Sequence, residues 1–216
     1  MIRLYCLLIG YICGCFQSAF FYGKIAGCDL RKHGSGNLGT TNTLRVLGSK
    51  AAILVLLLDV LKVGLAIFIS YLLFGTDGNF YPLYAMYAGA GAVIGHDFPF
   101  YLKFKGGKGI AATLGLILFV CPYMVPLPLT VFIVMVSITH YVSLSSLTAY
   151  LVVFLQYLIV GLLGGITGNA SGLNESYVIL FILMALAYIQ HIPNIKRLIK
   201  GCESKTYLKK KKDNEG

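Results

Sequence analysis

The chain has 216 residues, of which 57% are hydrophobic and 12% charged, with a mean hydropathy of +0.79. Soluble domains carry about a quarter charged residues, so this composition excludes one and indicates an α-helical integral membrane protein, while the lack of polar–apolar alternation excludes a β-barrel. The net charge of +10 does not indicate nucleic acid: of 18 Lys and Arg, five fall in 24–50, three in 103–108 and eight in 196–212, the confined pattern that orients membrane spans.

The first apolar segment, 4–22, follows Arg3 as a signal peptide would, but it lacks a small-x-small cleavage site and reads as a retained span. After it, His33-Gly34-Ser35-Gly36-Asn37-Leu38-Gly39-Thr40-Thr41-Asn42 alternates glycines with hydroxyl and amide side chains. Such a loop turns backbone N–H groups toward an anion. Ser35, Gly36, Asn37, Thr41 and Asn42 are candidate phosphate contacts, and Arg45 offers a fork suited to phosphate. The bland alternative is a flexible polar turn.

The second apolar segment, 51–74, carries Asp59 and Lys62 three residues apart, hence on one helix face. Charges in hydrocarbon are paired or functional, and a structural ion pair is the first reading. Segment 80–98 ends at His96-Asp97. His96 is either a base or a structural hydrogen-bonder. The loop that follows contains Lys105, Gly106, Gly107, Lys108 and Gly109 directly before a helical run from Ile110. Glycines and lysines at a helix start favour an anion. Gly109 stands where a nucleotide-binding P-loop needs Ser or Thr, so nucleotide hydrolysis has little support.

Three prolines, Pro122, Pro126 and Pro128, interrupt the apolar run 110–140 and predict a break into two short helices. A polar patch, Tyr141–Ser146, containing Ser143 and Ser145, lies at the start of segment 145–166. The last segment, 177–193, leads into His191, Asn194 and Glu203, where a His and an Asn three residues apart can bind a hydroxylated substrate or orient a base. The tail 204–216 holds Lys209–Lys212, a solvated run suited to anionic headgroups. The chain reads as a single domain, 1–216, without internal repeats.

The basic loops 24–50, 99–109 and 194–216 belong on one side, the cytoplasm. Parity then requires that 110–140 cross twice. The expected fold is all-α with seven transmembrane helices, the N-terminus outside and the C-terminus cytoplasmic. Gly10/Gly14, Gly23/Gly27 and Gly91/Gly95 are small-xxx-small steps expected to let helices of one bundle approach closely. The six cysteines show no CxxC pair or histidine spacing and read as apolar filler; neither metal nor cofactor is expected.

The stretches GSGNLGTTNTLR (34–45), GHDFPFYLKFKGGKG (95–109) and HIPNIKRLIKGCE (191–203) resemble the three motifs of the bacterial acyl-phosphate:glycerol-3-phosphate acyltransferases. DVLK (59–62) and YVSLSS (141–146) extend the resemblance over essentially the whole chain. Gln190 departs from it, standing where that family often has Arg. The resemblance implies acyl transfer from acyl phosphate to the 1-hydroxyl of glycerol 3-phosphate, yielding lysophosphatidic acid and phosphate at the cytoplasmic side of a bacterial cell membrane. It names glycerol 3-phosphate, acyl phosphate and the bilayer as partners, with the soluble enzyme that makes acyl phosphate as a further candidate.

That chemistry suits the residues. Two phosphorylated substrates need several cations, and Arg45, Lys105 and Lys108 supply them beside two glycine loops. Ser35, Arg45, Lys108, His191 and Asn194 form the expected catalytic set. No His is followed by Asp at the spacing of soluble-type glycerolipid acyltransferases, so the hydroxyl proton goes either to the donor's own phosphate or to His191. The rival function is transport of a phosphorylated metabolite. Transporters place polar groups at the midplane, whereas here they gather at one end.

Overall fold

The computed structural model describes residues 1–77, 80–166 and 170–206, and all regular structure among them is helical. The expected connection around Thr76–Asn79 and the run Lys209–Lys212 lie partly or wholly outside the described residues. In chain order the helices are α1 (Ile2–Gly14), α2 (Ser18–Ile25), α3 (Thr40–Leu47), α4 (Ser49–Phe74), α5 (Ala85–Asp97), α6 (Ile110–Val120), α7 (Pro126–Thr139), α8 (Val142–Leu162), α9 (Ala170–Gln190) and α10 (Ile192–Ile199). Five stretches are long and apolar enough to cross a bilayer: Ile2–Ile25, Ser49–Phe74, Pro122–Thr139, Val142–Leu162 and Gly172–Gln190.

Helix α4 shows which solvent the fold is built for. Leu57, Leu61, Leu65, Phe68 and Leu72 are exposed, while Asp59, Lys62, Ala66 and Ser70 are buried. Water would invert that distribution. In lipid there is no hydrophobic drive to hide leucine, so small and polar residues occupy the contacts between helices.

Helices α1 and α5 approach through reciprocal glycines. A Cβ on Gly10 would lie 2.0 Å from the Ala88 carbonyl oxygen, and one on Gly91 would lie 2.1 Å from that of Leu7. Gly14 and Gly95 meet Ala92 and Tyr11 backbone oxygens in the same way, at 2.1 and 2.2 Å. The Gly23/Gly27 step serves another purpose: Gly27, at φ 67°, ends α2, and the Cys28 N–H closes back on the Gly23 carbonyl at 2.8 Å. Near the start of α1, Arg3 donates two hydrogen bonds of 2.6 Å to Glu175 of α9, and Tyr87 of α5 donates to the same carboxylate at 2.9 Å.

Two apolar segments differ from the continuous helices expected of them, and a third breaks as expected. The first is interrupted between Gly14 and Ser18, and the carbonyls freed there find side-chain donors. Tyr101 donates to Cys15 O at 2.9 Å and Lys62 to Phe16 O at 2.8 Å. The run 110–140 breaks after Val120 as the prolines require: Pro122–Met124 forms a single 3₁₀ turn, and Pro126 and Pro128 occupy the first turn of α7, where a missing N–H costs nothing. The last segment stops at Gln190. His191 is non-helical (φ −92°, ψ 0°), and Pro193 sits in the first turn of the separate helix α10, which carries Lys196, Arg197 and Asn194.

Candidate functional site

The first loop is organised by a side chain the sequence assigns to substrate. Asn42 is buried, its Oδ1 accepting from the Ser35 N–H at 2.8 Å while its Nδ2 donates to the Leu30 and His33 carbonyls at 3.1 Å each. Both amide hydrogens are therefore committed, and Asn42 shapes the loop instead of offering donors to a ligand. Gly34 and Gly36 take φ of 61° and 72° around Ser35, a left-handed conformation that glycine adopts without a Cβ penalty. The loop then delivers Gly39, Thr40 and Thr41, at the free N–H end of α3, to the same cavity as Ser35, Gly36 and Asn37.

The second loop folds back on the end of α5. Gly106 N–H donates to Asp97 O and Gly107 N–H to His96 O, each at 3.0 Å. A Cβ on Gly106 would stand 2.1 Å from His96 O, and one on Gly107 would stand 1.9 Å from His96 Nε2. These glycines thus permit close approach to His96. Gly109, at φ 72°, turns the chain into α6, and the Thr113 N–H bonds its carbonyl at 2.7 Å.

Lys108 leaves this loop toward α10 and hydrogen-bonds Asn194 Oδ1. Burial, with help from the nearby Arg197 and Arg45 cations and against Glu203, pushes its ammonium down to about 8. Asn194 donates to Glu203 Oε1 at 2.7 Å, Ser143 donates to the same oxygen at 2.9 Å, and Arg197 Nε reaches Oε2 at 2.6 Å. Burial raises the Glu203 carboxyl, but these three donors outweigh it and hold it below the usual glutamate range. Glu203, expected at substrate phosphate, is instead the acceptor that orients Ser143, Asn194 and Arg197. A carboxylate so placed would repel a phosphate.

His191 is buried at the α9–α10 junction, with Nδ1 2.7 Å from Ala187 O. A carbonyl can only accept, so Nδ1 carries the proton and Nε2 the lone pair. Burial and the Lys108 cation push the imidazole down to about 4, against the Ala187 and Glu203 contributions. Arg45 sits opposite, where burial lowers its pKa from the usual arginine value, with Glu203 opposing. One Nη2 of Arg45 donates to Thr206 Oγ1 at 2.9 Å and to Ser204 O at 3.4 Å.

These elements surround one cavity of about 720 Å³. Ser35, Gly36, Asn37, Thr41, Asn42, Arg45, His96, Lys105, Gly106, Lys108, Ser143, His191, Asn194 and Glu203 all line it. Gly107 and Gly109 are not among the lining residues; Gly107 packs against His96 and Gly109 makes the turn into α6. Ser145 is not either, because its hydroxyl bonds its own helix at Tyr141 O, 2.9 Å away. Of the lining cations, Arg31 pairs with Asp29 at 2.9 Å and Arg197 with Glu203, while Arg45, Lys105 and Lys108 have no carboxylate partner among the described residues. The cavity is also lined by apolar side chains, Leu114 and Ile117 of α6, Leu129 and Phe132 of α7, and Val153 of α8, and by the polar Asp59, Asp97, Thr113, Tyr150 and Gln190. The space can therefore take an anionic head and an apolar chain together. Among the described residues no cluster of three or more His, Cys, Asp or Glu could hold a metal ion.

Sequence reasoning missed Arg197 and the return of Ser204 and Thr206 to Arg45. Arg197 was accessible from its i,i+3 spacing to Asn194 on one helix. The Thr206 contact spans 161 residues and no local pattern marks it.

A family model described as glycerol-3-phosphate acyltransferase matches residues 4–201. A curated glycerol-3-phosphate acyltransferase of Thermoanaerobacter sp. (strain X514) is 42% identical over 199 residues, covering 92% of each chain. One from Bacillus velezensis is 37% identical over 202 residues, covering 92% of this chain and 95% of its own. The crystal structure of PlsY (YgiH), an integral membrane glycerol 3-phosphate acyltransferase in its glycerol 3-phosphate form, superposes with a TM-score of 0.81 at 32% identity, covering 95% of this chain and 96% of that one. The fold, the cavity and these likenesses agree: the chain belongs to the glycerol-3-phosphate acyltransferase family.

Proposed function

We propose that the protein transfers a fatty acyl group from acyl phosphate to the 1-hydroxyl of glycerol 3-phosphate, giving lysophosphatidic acid and inorganic phosphate. The observation that carries this reading is a single cavity lined both by the cations Arg45, Lys105 and Lys108 and by the apolar Leu114, Ile117, Leu129, Phe132 and Val153. An acyl phosphate combines the same two characters, and a second phosphate beside it demands cations unpaired within the protein. The family membership and the lysophosphatidic acid form of the PlsY crystal structure support the acceptor and the product.

In this reading Ser35, Arg45, Lys108 and the N–H groups at Gly39–Thr41 hold the two phosphates. Lining up acceptor and donor lowers the barrier by several kcal/mol. The acceptor oxygen attacks the acyl carbon, the carbon–oxygen bond to phosphate breaks, and phosphate leaves. His191 Nε2 accepts from a glycerol hydroxyl, and Asn194, held by Glu203 and Lys108, fixes the other end of the acceptor. A base is most effective with a pKa near the working pH. With the His191 imidazole pushed down to about 4, the donor's phosphate is the better-matched base, and we assign the hydroxyl proton to it.

The helices are assigned seven crossings, α1 with α2, then α4 through α9, with the N-terminus outside and the basic loops in the cytoplasm of a bacterial cell. The site then opens where a soluble enzyme could deliver acyl phosphate. The test is purified protein with glycerol 3-phosphate and either acyl phosphate or acyl-CoA. Lysophosphatidic acid from acyl phosphate alone supports the proposal. Product from acyl-CoA alone overturns the donor, and no product from either overturns the reaction.

A further inference from the structure

A polar cluster runs from the cavity wall, where Asp59 and His96 line it, into the helix bundle. The Lys62 ammonium, 5% exposed, has three hydrogens and three acceptors, each at 2.8 Å: Asp59 Oδ1 one turn back on α4, Phe16 O at the break between α1 and α2, and His96 Nδ1 on α5. Ser18 of α2 adds a bond to Asp59 Oδ1 at 2.9 Å. An ammonium can only donate, so the Lys62 bond makes Nδ1 the ring's lone pair and leaves the proton on Nε2; Asp59 Oδ1 lies farther from Nδ1, at 3.5 Å. Nε2 is the atom against which Gly107 packs, and the His96 carbonyl accepts from both Gly107 N–H and the Gln17 side chain.

The route from Lys62 to the anion loop is therefore short. Lys62 sets the tautomer and rotamer of His96, and His96 sets the path of Gly106–Gly107, from which Lys108 projects. A plain ion pair between Asp59 and Lys62 would need neither a histidine acceptor nor contact with the glycine loop. Buried charge pairs are weak devices for stability, since desolvation offsets most of their attraction, whereas a fully coordinated ammonium is a good device for orientation.

We infer that Lys62 is a positioning residue for phosphate binding, acting through His96 on the Gly106–Lys108 loop. This rests on the reading that the loop holds a substrate phosphate. The variant Asp59→Asn/Lys62→Met removes both charges together and leaves no lone ion in the bundle.

Its expected behaviour is a KM for a phosphorylated substrate raised about tenfold or more, because displacement of a binding group by even 1 Å weakens productive alignment, with the folded fraction and melting temperature near wild type. In a His96→Ala background the same double change should add nothing further. Unchanged KM values with less folded protein, or equal losses with and without His96, would show a purely structural pair and overturn the inference. Should the variant not fold, ¹⁵N chemical shifts of the wild-type histidines decide it: His96 protonated on Nε2 supports the assignment, and on Nδ1 refutes it. Failure of wild type to turn over acyl phosphate with glycerol 3-phosphate would refute the assigned reaction instead, a separate outcome.

Discussion

The His191 Nδ1–H is tied to the Ala187 carbonyl at 2.7 Å, which leaves Nε2 as the ring's acceptor. Burial pushes this imidazole down to about 4, so in the proposed role it stays neutral and acts by hydrogen bonding. His191→Ala is expected to raise KM for glycerol 3-phosphate more than it lowers kcat, with no histidine ionisation in the kcat profile above about pH 5. A fall in kcat of about 100-fold or more at saturating substrate would make His191 the base.

Lys108 supplies the opposite pH signature. Its ammonium, pushed down to about 8, loses charge as pH rises through that value, so kcat/KM for free enzyme should decline on the alkaline side. Lys108→Arg, which stays charged, should move that decline to higher pH even if its absolute activity is lower. The sign for folding is reversed. The unfolded lysine titrates near 10.4, so burial of the charged form costs stability below about 8, and that cost is relieved between about 8 and 10. Activity loss on the alkaline side should therefore appear without unfolding caused by this group. Melting curves at each pH would check it.

Asn42 meets three backbone groups of one loop with one side chain. Asn42→Ala strands the Ser35 N–H and the Leu30 and His33 carbonyls, each worth about 1–3 kcal/mol if left buried without a partner. The expected outcome is a lower melting temperature together with a higher KM for phosphate-bearing substrate. Asn42→Asp should be no better, since a carboxylate keeps the acceptor but faces two carbonyls it cannot bond.

Val153 lines the apolar part of the cavity opposite α6 and α7. Val153→Phe should shift preference toward shorter acyl phosphates while leaving KM for glycerol 3-phosphate close to wild type. Competition between donors of two chain lengths reads this directly, and an unchanged ratio would place the chain elsewhere.

Much of the fold was legible because lipid imposes a simple code. Apolar runs of spanning length pointed to an all-helical membrane protein, and a cluster of prolines located the break after Val120. The break near Phe16 was not legible, because the donors that rescue its carbonyls, Lys62 and Tyr101, come from elements distant in sequence. The cavity residues were largely legible since glycine, hydroxyl and cationic side chains in loops have few other uses in so apolar a chain. Their division of labour was not. Ser35 and Asn42 look alike as donors, and only the fold shows that Asn42 spends every hydrogen on its own loop. Glu203 likewise reads as one more polar residue until Ser143, Asn194 and Arg197 are seen converging on it.

The most direct test of acyl transfer from acyl phosphate is a ³¹P NMR time course of the purified protein with palmitoyl phosphate and glycerol 3-phosphate. The account predicts that the acyl phosphate signal falls while lysophosphatidic acid and inorganic phosphate rise together in equal amounts. Inorganic phosphate appearing without lysophosphatidic acid, or no change in any signal, would contradict it.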